Sequence, residues 1–125
     1  MSDATIQTFV RSPDRWRRRL ALVATVPLNS SARGAKPGGD ARRTLRVSRQ
    51  LLADRDDMVV KALSWALREL AKRDLAAVEE FLATHDVQLA PRVRREVSNK
   101  LRTGLKTPGR RKAARRTVDR SNRTA

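Results

Sequence analysis

Apolar residues recur along this chain at helical spacing, and the alternating β-branched runs that make strands are missing. Ser12 followed by Pro13 predicts a first helix, the serine oxygen capping free N–H groups while proline occupies the first turn. That helix is expected to end near Val26, ahead of Pro27. Residues 29–39, rich in Ser, Gly and Pro, read as a loop. Asp40, Asp57, Asp74 and Pro91 then follow one another at intervals of 17 residues, and the three aspartates suit helix starts. The predicted helices are 40–53, 57–72, 74–84 and 91–103, with Gly104 as a C-terminal stop.

Helices of similar length joined by very short turns pack as antiparallel neighbours. Two successive ones make a unit of about 34 residues, within the range of α-solenoid repeats. The apolar positions do not recur from unit to unit, so the repeat is one of architecture. The expected fold is therefore all-α, antiparallel helix pairs in a short α-solenoid. Three segments are expected: a lead over 1–11, a helical domain over 12–104 and a tail over 105–125. The tail holds eight basic residues against Asp119 alone and only Leu105 and Val118 as sizeable apolar residues, so it is predicted to be disordered and basic.

On a helical wheel of about 100° per residue, Val59, Val60, Ala66, Leu67 and Leu70 fall within about 60° of Leu63 and define a core stripe. Trp65 lies directly opposite, at about 200°, among Lys61, Arg68, Lys72, Glu69 and Met58. An exposed aromatic flanked by cations points to a ligand, or else to a second packing face. In the first helix Trp16, Leu20, Val23 and Ala24 form a stripe that predicts a structural role for Trp16. Arg15 and Arg18 point away from that stripe, and Arg19 sits at its flank. Val93, Val97 and Leu101 predict the core stripe of the last helix, with Arg92, Arg94, Arg95 and Arg102 on its other sides. Arg92 at a helix start opposes the dipole, which an external anion relieves.

Charge sharpens this picture. The 125 residues carry 29 Lys plus Arg against 13 Asp plus Glu, a formal charge of +16 that favours an anionic partner. Zero Cys excludes disulfides and thiolate metal sites, and a single histidine, His85, excludes a His-based metal cluster or a Ser-His triad. His85 reads as a helix-end residue. Tyr is absent and aromatics make up 3%, which argues against a base-stacking platform. Asp54-Arg55-Asp56-Asp57 lacks the spacing and glycine of a calcium loop, and it and Asp74 are read as helix caps. Neither a cofactor nor a metal is expected. Leu20 to Ala32 is uncharged behind three arginines, yet it is too short to span a membrane and contains Pro27, Asn29, Ser30 and Ser31. A cytoplasmic location is the expectation.

Three stretches carry a resemblance: Ser12-Pro-Asp-Arg-Trp-Arg-Arg-Arg-Leu-Ala-Leu22, Asp54-Arg-Asp-Asp-Met-Val-Val-Lys-Ala-Leu-Ser-Trp-Ala-Leu-Arg-Glu-Leu70 and Leu89-Ala-Pro-Arg-Val-Arg-Arg-Glu-Val97. Together they resemble the C-terminal part of bacterial DNA alkylation repair glycosylases with HEAT-like helical repeats, over most of residues 10–107. The resemblance implies a HEAT-like α-solenoid that holds duplex DNA on its concave surface and removes cationic N3- and N7-alkylated purines. It matches Arg19 to a backbone-contacting arginine and Trp65 to an aromatic lining the DNA cleft, with Arg68 on the same surface. The family's catalytic aspartate sits in a Trp-Asp-x-x-Asp-like segment with no counterpart here, so no catalytic residue is assigned. The expectation is a fragment or short relative that keeps the DNA-binding half. Arg19, Lys61, Trp65, Arg68 and Arg95 are the DNA-binding candidates, in a monomer. The alternatives are a noncatalytic helical scaffold for an acidic protein or RNA, and an enzyme using a carboxylate outside the family's pattern.

Overall fold

A computed structural model describes residues 1–29 and 40–104, and among them every regular element is helical. The tail and most of the predicted loop lie outside the described residues. Seven helical segments follow in order: α1 (Asp3–Val10), α2 (Arg15–Val23), the single turn α3 (Val26–Asn29), α4 (Ala41–Gln50), α5 (Asp57–Ala71), α6 (Leu75–His85) and α7 (Pro91–Thr103).

Capping explains where most of these begin. The carboxylates of Asp14, Asp40, Asp56 and Asp74 accept from backbone N–H groups at Trp16, Arg43, Met58 and Ala77. Asp40 and Asp74 cap as predicted. The other two starts are corrected: Asp14 caps α2, with the Ser12 hydroxyl accepting from the Asp14 N–H instead, and Asp56 caps α5. Asp57 therefore falls in the first turn, its carboxylate left available for cations. Pro91 opens α7, and Gly104 closes it in the left-handed region at φ 76°, a conformation glycine adopts without steric cost.

Two further differences have local causes. Residues 1–11, which hold no predicted element, contain α1: Ser2 caps it, and Ile6 and Val10, one helical turn apart, reach the core. The first predicted helix also ends earlier than expected, at Val23. The Thr25 hydroxyl takes the Leu22 carbonyl, and Pro27 enters a new turn where its missing N–H costs nothing.

Helices α2, α5 and α7 lie side by side in one layer, and α1, α4 and α6 pack beside them as the second. Contacts between successive residues fix the register. Asp3 and Gln7 of α1 meet Arg43 and Gln50 of α4, while Asp57 and Ser64 of α5 meet Arg92 and Glu96 of α7. Residue numbers rise together in both pairs, so helices within a layer run parallel and the short turns carry the chain back between layers. α5 packs against α2, α3, α4, α6 and α7, and nine of its fifteen residues are buried. Its predicted stripe of Val59, Val60, Leu63, Ala66, Leu67 and Leu70 is the centre of the core.

A buried polar clasp joins the two layers near Asn29. Its amide donates to the Thr44 hydroxyl at 2.7 Å and to the Thr25 carbonyl, and its oxygen accepts from the Asp40 N–H at 2.7 Å. Satisfied in this way, a fully buried asparagine carries little desolvation penalty.

Candidate nucleic-acid interface

The outer face of the α2/α5/α7 layer is built on the positions of α5 that escape the core. Trp65 keeps 36% of its surface exposed there, opposite the core stripe, as the wheel predicts. Lys61 and Arg68 lie one turn before and after it on the same face. Each has a carboxylate or hydroxyl holding it in place: Lys61 Nζ sits 3.3 Å from Asp57, and Arg68 Nε donates to the Ser64 hydroxyl at 3.2 Å.

Beneath Trp65 a chain of polar groups ties α5 to α7. The buried Ser64 hydroxyl donates to Glu96 Oε1 at 2.6 Å, and Glu96, only 6% exposed, also accepts from Arg92 Nε at 3.4 Å. Arg92 reaches back to Asp57 at 3.3 Å. A carboxylate this buried needs cations around it, and Arg68 and Arg92 supply them. Burial holds the Arg68 guanidinium below its ordinary pKa; Glu96 and Glu69 oppose that shift and Arg92 adds to it. Lys100, further along α7, is lowered first by burial and then by Lys72 and Arg68, with Glu69 opposing. Both cations are thus held at some electrostatic cost, and an anion docking on this face relieves it. Sequence reading gives Arg92 an external anion without placing it beside α5, and misses Glu96 and Lys100 as members of this face. Their spacing of four residues was visible, but their pairing with α5 is tertiary.

Arg19 joins from α2, half-buried, its Nη1 donating to the Met58 carbonyl at 2.8 Å. Its neighbours make similar links, Arg15 to Asp56 at 3.6 Å and Arg18 to Asp54 at 2.8 Å. The structure therefore brings Arg19, Lys61, Trp65 and Arg68 to one layer. Arg95 is exposed on α7, about 60° around the helix from Arg92, at the edge of that face.

Trp16 requires a correction. It is 53% exposed, with Arg15 stacked at 5.0 Å from the ring centroid, and Leu20 is 39% exposed. The buried side of α2 is Ala21 and Leu22, with Arg18 on the same stripe. Arg18 was expected to point away. It turns inward because Asp54 and the carbonyls of Ser12 and Pro13 satisfy its guanidinium, which rotates the helix and leaves Trp16 outside. His85 ends α6 as predicted, its ring against Phe81 at 4.7 Å.

Among the described residues no helix is long and apolar enough to cross a membrane. No curated protein and no solved structure matches the chain. A family model described as DNA alkylation repair enzyme does match, over residues 2–101, which takes in α1 and extends the resemblance seen from residue 10 onward. Spanning every helix from α1 to all but the end of α7, that match shows that the chain belongs to the DNA alkylation repair enzyme family.

Proposed function

We propose that the chain acts in DNA alkylation repair by holding duplex DNA against the outer face of the α2/α5/α7 layer. Arg19, Lys61, Arg68 and Arg95 meet phosphates, and Trp65 lies against the duplex near the alkylated purine. One observation carries the reading: Trp65 is held on the solvent side of a helix otherwise devoted to the core, with Lys61 and Arg68 one turn to either side. The HEAT-like form of the solenoid and the lesion class, N3- and N7-alkylated purines, come from the family resemblance. Asp57, Glu69 and Glu96, carboxylates on this face, are each engaged with a lysine or arginine, and in that state they position cations. The proposal is therefore one of duplex engagement, and base excision by these residues is left to a direct test.

Phosphate contacts make affinity fall with salt at about −0.9 per phosphate in a log–log plot, so the four cations give a slope of about −3.6. Anisotropy titrations of a duplex bearing N7-methylguanine across a salt series measure it. Trp65→Ala is expected to weaken binding more than Trp16→Ala, which removes a more exposed tryptophan from the same layer. A near-flat salt dependence, or the reverse order of the two variants, refutes the proposal. Release of free methylated base in the same reaction reads excision separately from binding.

A further inference from the structure

A second basic surface lies on the other layer. Arg42, Arg46 and Arg49 of α4 recur at i, i+4 and i+7, within about 60° of one another on the helix. All three are exposed, and among the described residues none makes an ion pair or hydrogen bond. Most other cations are occupied, including Arg43 one position away, which pairs with Asp3 and Asp40. The buried residues of α4, Thr44, Val47 and Ser48, face the opposite way. The three arginines thus form an outward ridge, with a groove on either side. Arg42 and Arg46 border the groove toward Asp3 and Gln7 of α1, and Arg49 borders the one toward Glu80 and Phe81 of α6.

We infer that this ridge is a second binding surface for a duplex phosphate backbone, so that one molecule bridges two DNA segments. The chemistry selects that partner. The ridge places three guanidinium groups along about 10 Å of helix, each able to grip a phosphate bidentately. Its exposed positions carry no aromatic or aliphatic anchor of the kind a protein interface is built around. Nor do they offer an apolar face to embed in a lipid surface. α5 separates the ridge from the Trp65 face, so the two surfaces hold different segments.

The test is a bridging assay with the full chain. A biotinylated duplex on beads captures protein, and a second, fluorescent duplex reads bridging. Arg42→Gln, Arg46→Gln and Arg49→Gln combined are expected to lower second-duplex capture at least tenfold while first-duplex affinity stays within about threefold. The salt slope of capture is expected to flatten by about 2.7, from three lost phosphate contacts. Circular dichroism checks folding, and the single Arg46→Glu change reads the same capture if the triple variant unfolds. Capture that survives both variants overturns the inference, because another part of the chain would then bridge. An equal loss of first-duplex binding overturns it too, since the ridge would belong to the first surface. So does displacement of the second duplex by polyglutamate or phosphatidylserine vesicles at lower charge concentration than by competitor duplex.

Discussion

Neutralising Glu96 tests the network that holds the Trp65 face together. Glu96→Gln keeps the shape of the side chain and removes its charge. In the native chain the carboxylate accepts the Ser64 hydroxyl at 2.6 Å and Arg92 at 3.4 Å, and its charge favours the ionised Arg68. A hydrogen bond to a charged acceptor contributes about 1.5–3 kcal/mol against about 1 kcal/mol for a neutral one, so this bond loses about 1 kcal/mol. The stranded arginines add a second cost. Removing one partner of a fully buried pair costs about 3–5 kcal/mol. The Arg92 side chain is 32% exposed, however, and solvent screening reduces its share to about 1 kcal/mol. The expected loss is about 2 kcal/mol, equivalent to roughly 8–16 °C in Tm for a domain of this size. Urea titration followed by circular dichroism measures it, with exposed Glu80→Gln as a control expected to change stability by less than about 0.5 kcal/mol. Adding Ser64→Ala is expected to be non-additive, with a coupling of about 0.5–3 kcal/mol. Duplex affinity of Glu96→Gln is expected to hold or rise, because the face gains positive charge. A stability change below about 0.5 kcal/mol would show that the Ser64–Glu96–Arg92 chain is incidental to the fold.

Asp56 and Asp57, adjacent in sequence, are expected to behave oppositely. Asp56→Ala loses the cap on the Met58 and Val59 N–H groups and is expected to cost about 1 kcal/mol in thermal or urea unfolding. Asp57→Asn frees Lys61 and Arg92 and is expected to tighten duplex binding in the anisotropy titration; weaker binding would contradict the assignment of this face. For Lys100 the sign follows from a folded-state pKa below the unfolded one. Folding stability rises with pH between the lowered value and the ordinary lysine value of about 10.4, while duplex affinity falls over the same window because phosphate favours the charged form. Lys100→Gln is expected to remove part of both pH dependences, and overlapping wild-type and variant curves would refute it.

Periodicity was enough for α5, where Val59, Val60, Leu63, Ala66, Leu67 and Leu70 share one stripe and Trp65 stands opposite it among polar residues and Met58. In α2 the same wheel failed. Arg18 occupies a core-facing position made tolerable by Asp54, 36 residues away, and by the Ser12 and Pro13 carbonyls, so Trp16 and Leu20 are left on the outside while Val23 and Ala24 still pack against the core. The aspartate starts were legible to within a residue or two because capping is local chemistry. α1 was missed since its eight residues bury only Ile6 and Val10, with Phe9 packed partly against the core, too short a run to stand out. The candidates Lys61, Trp65 and Arg68 were legible together on one helix face. Arg92, Glu96 and Lys100 became part of that face only when α7 was laid beside α5, which no spacing within α7 reveals.

The central place of α5 bears on how the molecule comes apart. In a solenoid whose repeats touch only their neighbours, stability is a sum of unit and interface terms, and end units fray first. Here α5 touches helices from both layers, and its buried side chains are the middle of a single core. Neither α2 nor α7 can detach without stripping a flank of α5, and α4 and α6 lose their backing when α5 unwinds. The described helices therefore unfold as one cooperative unit in which exchange of the α5 amides reports the global free energy of unfolding.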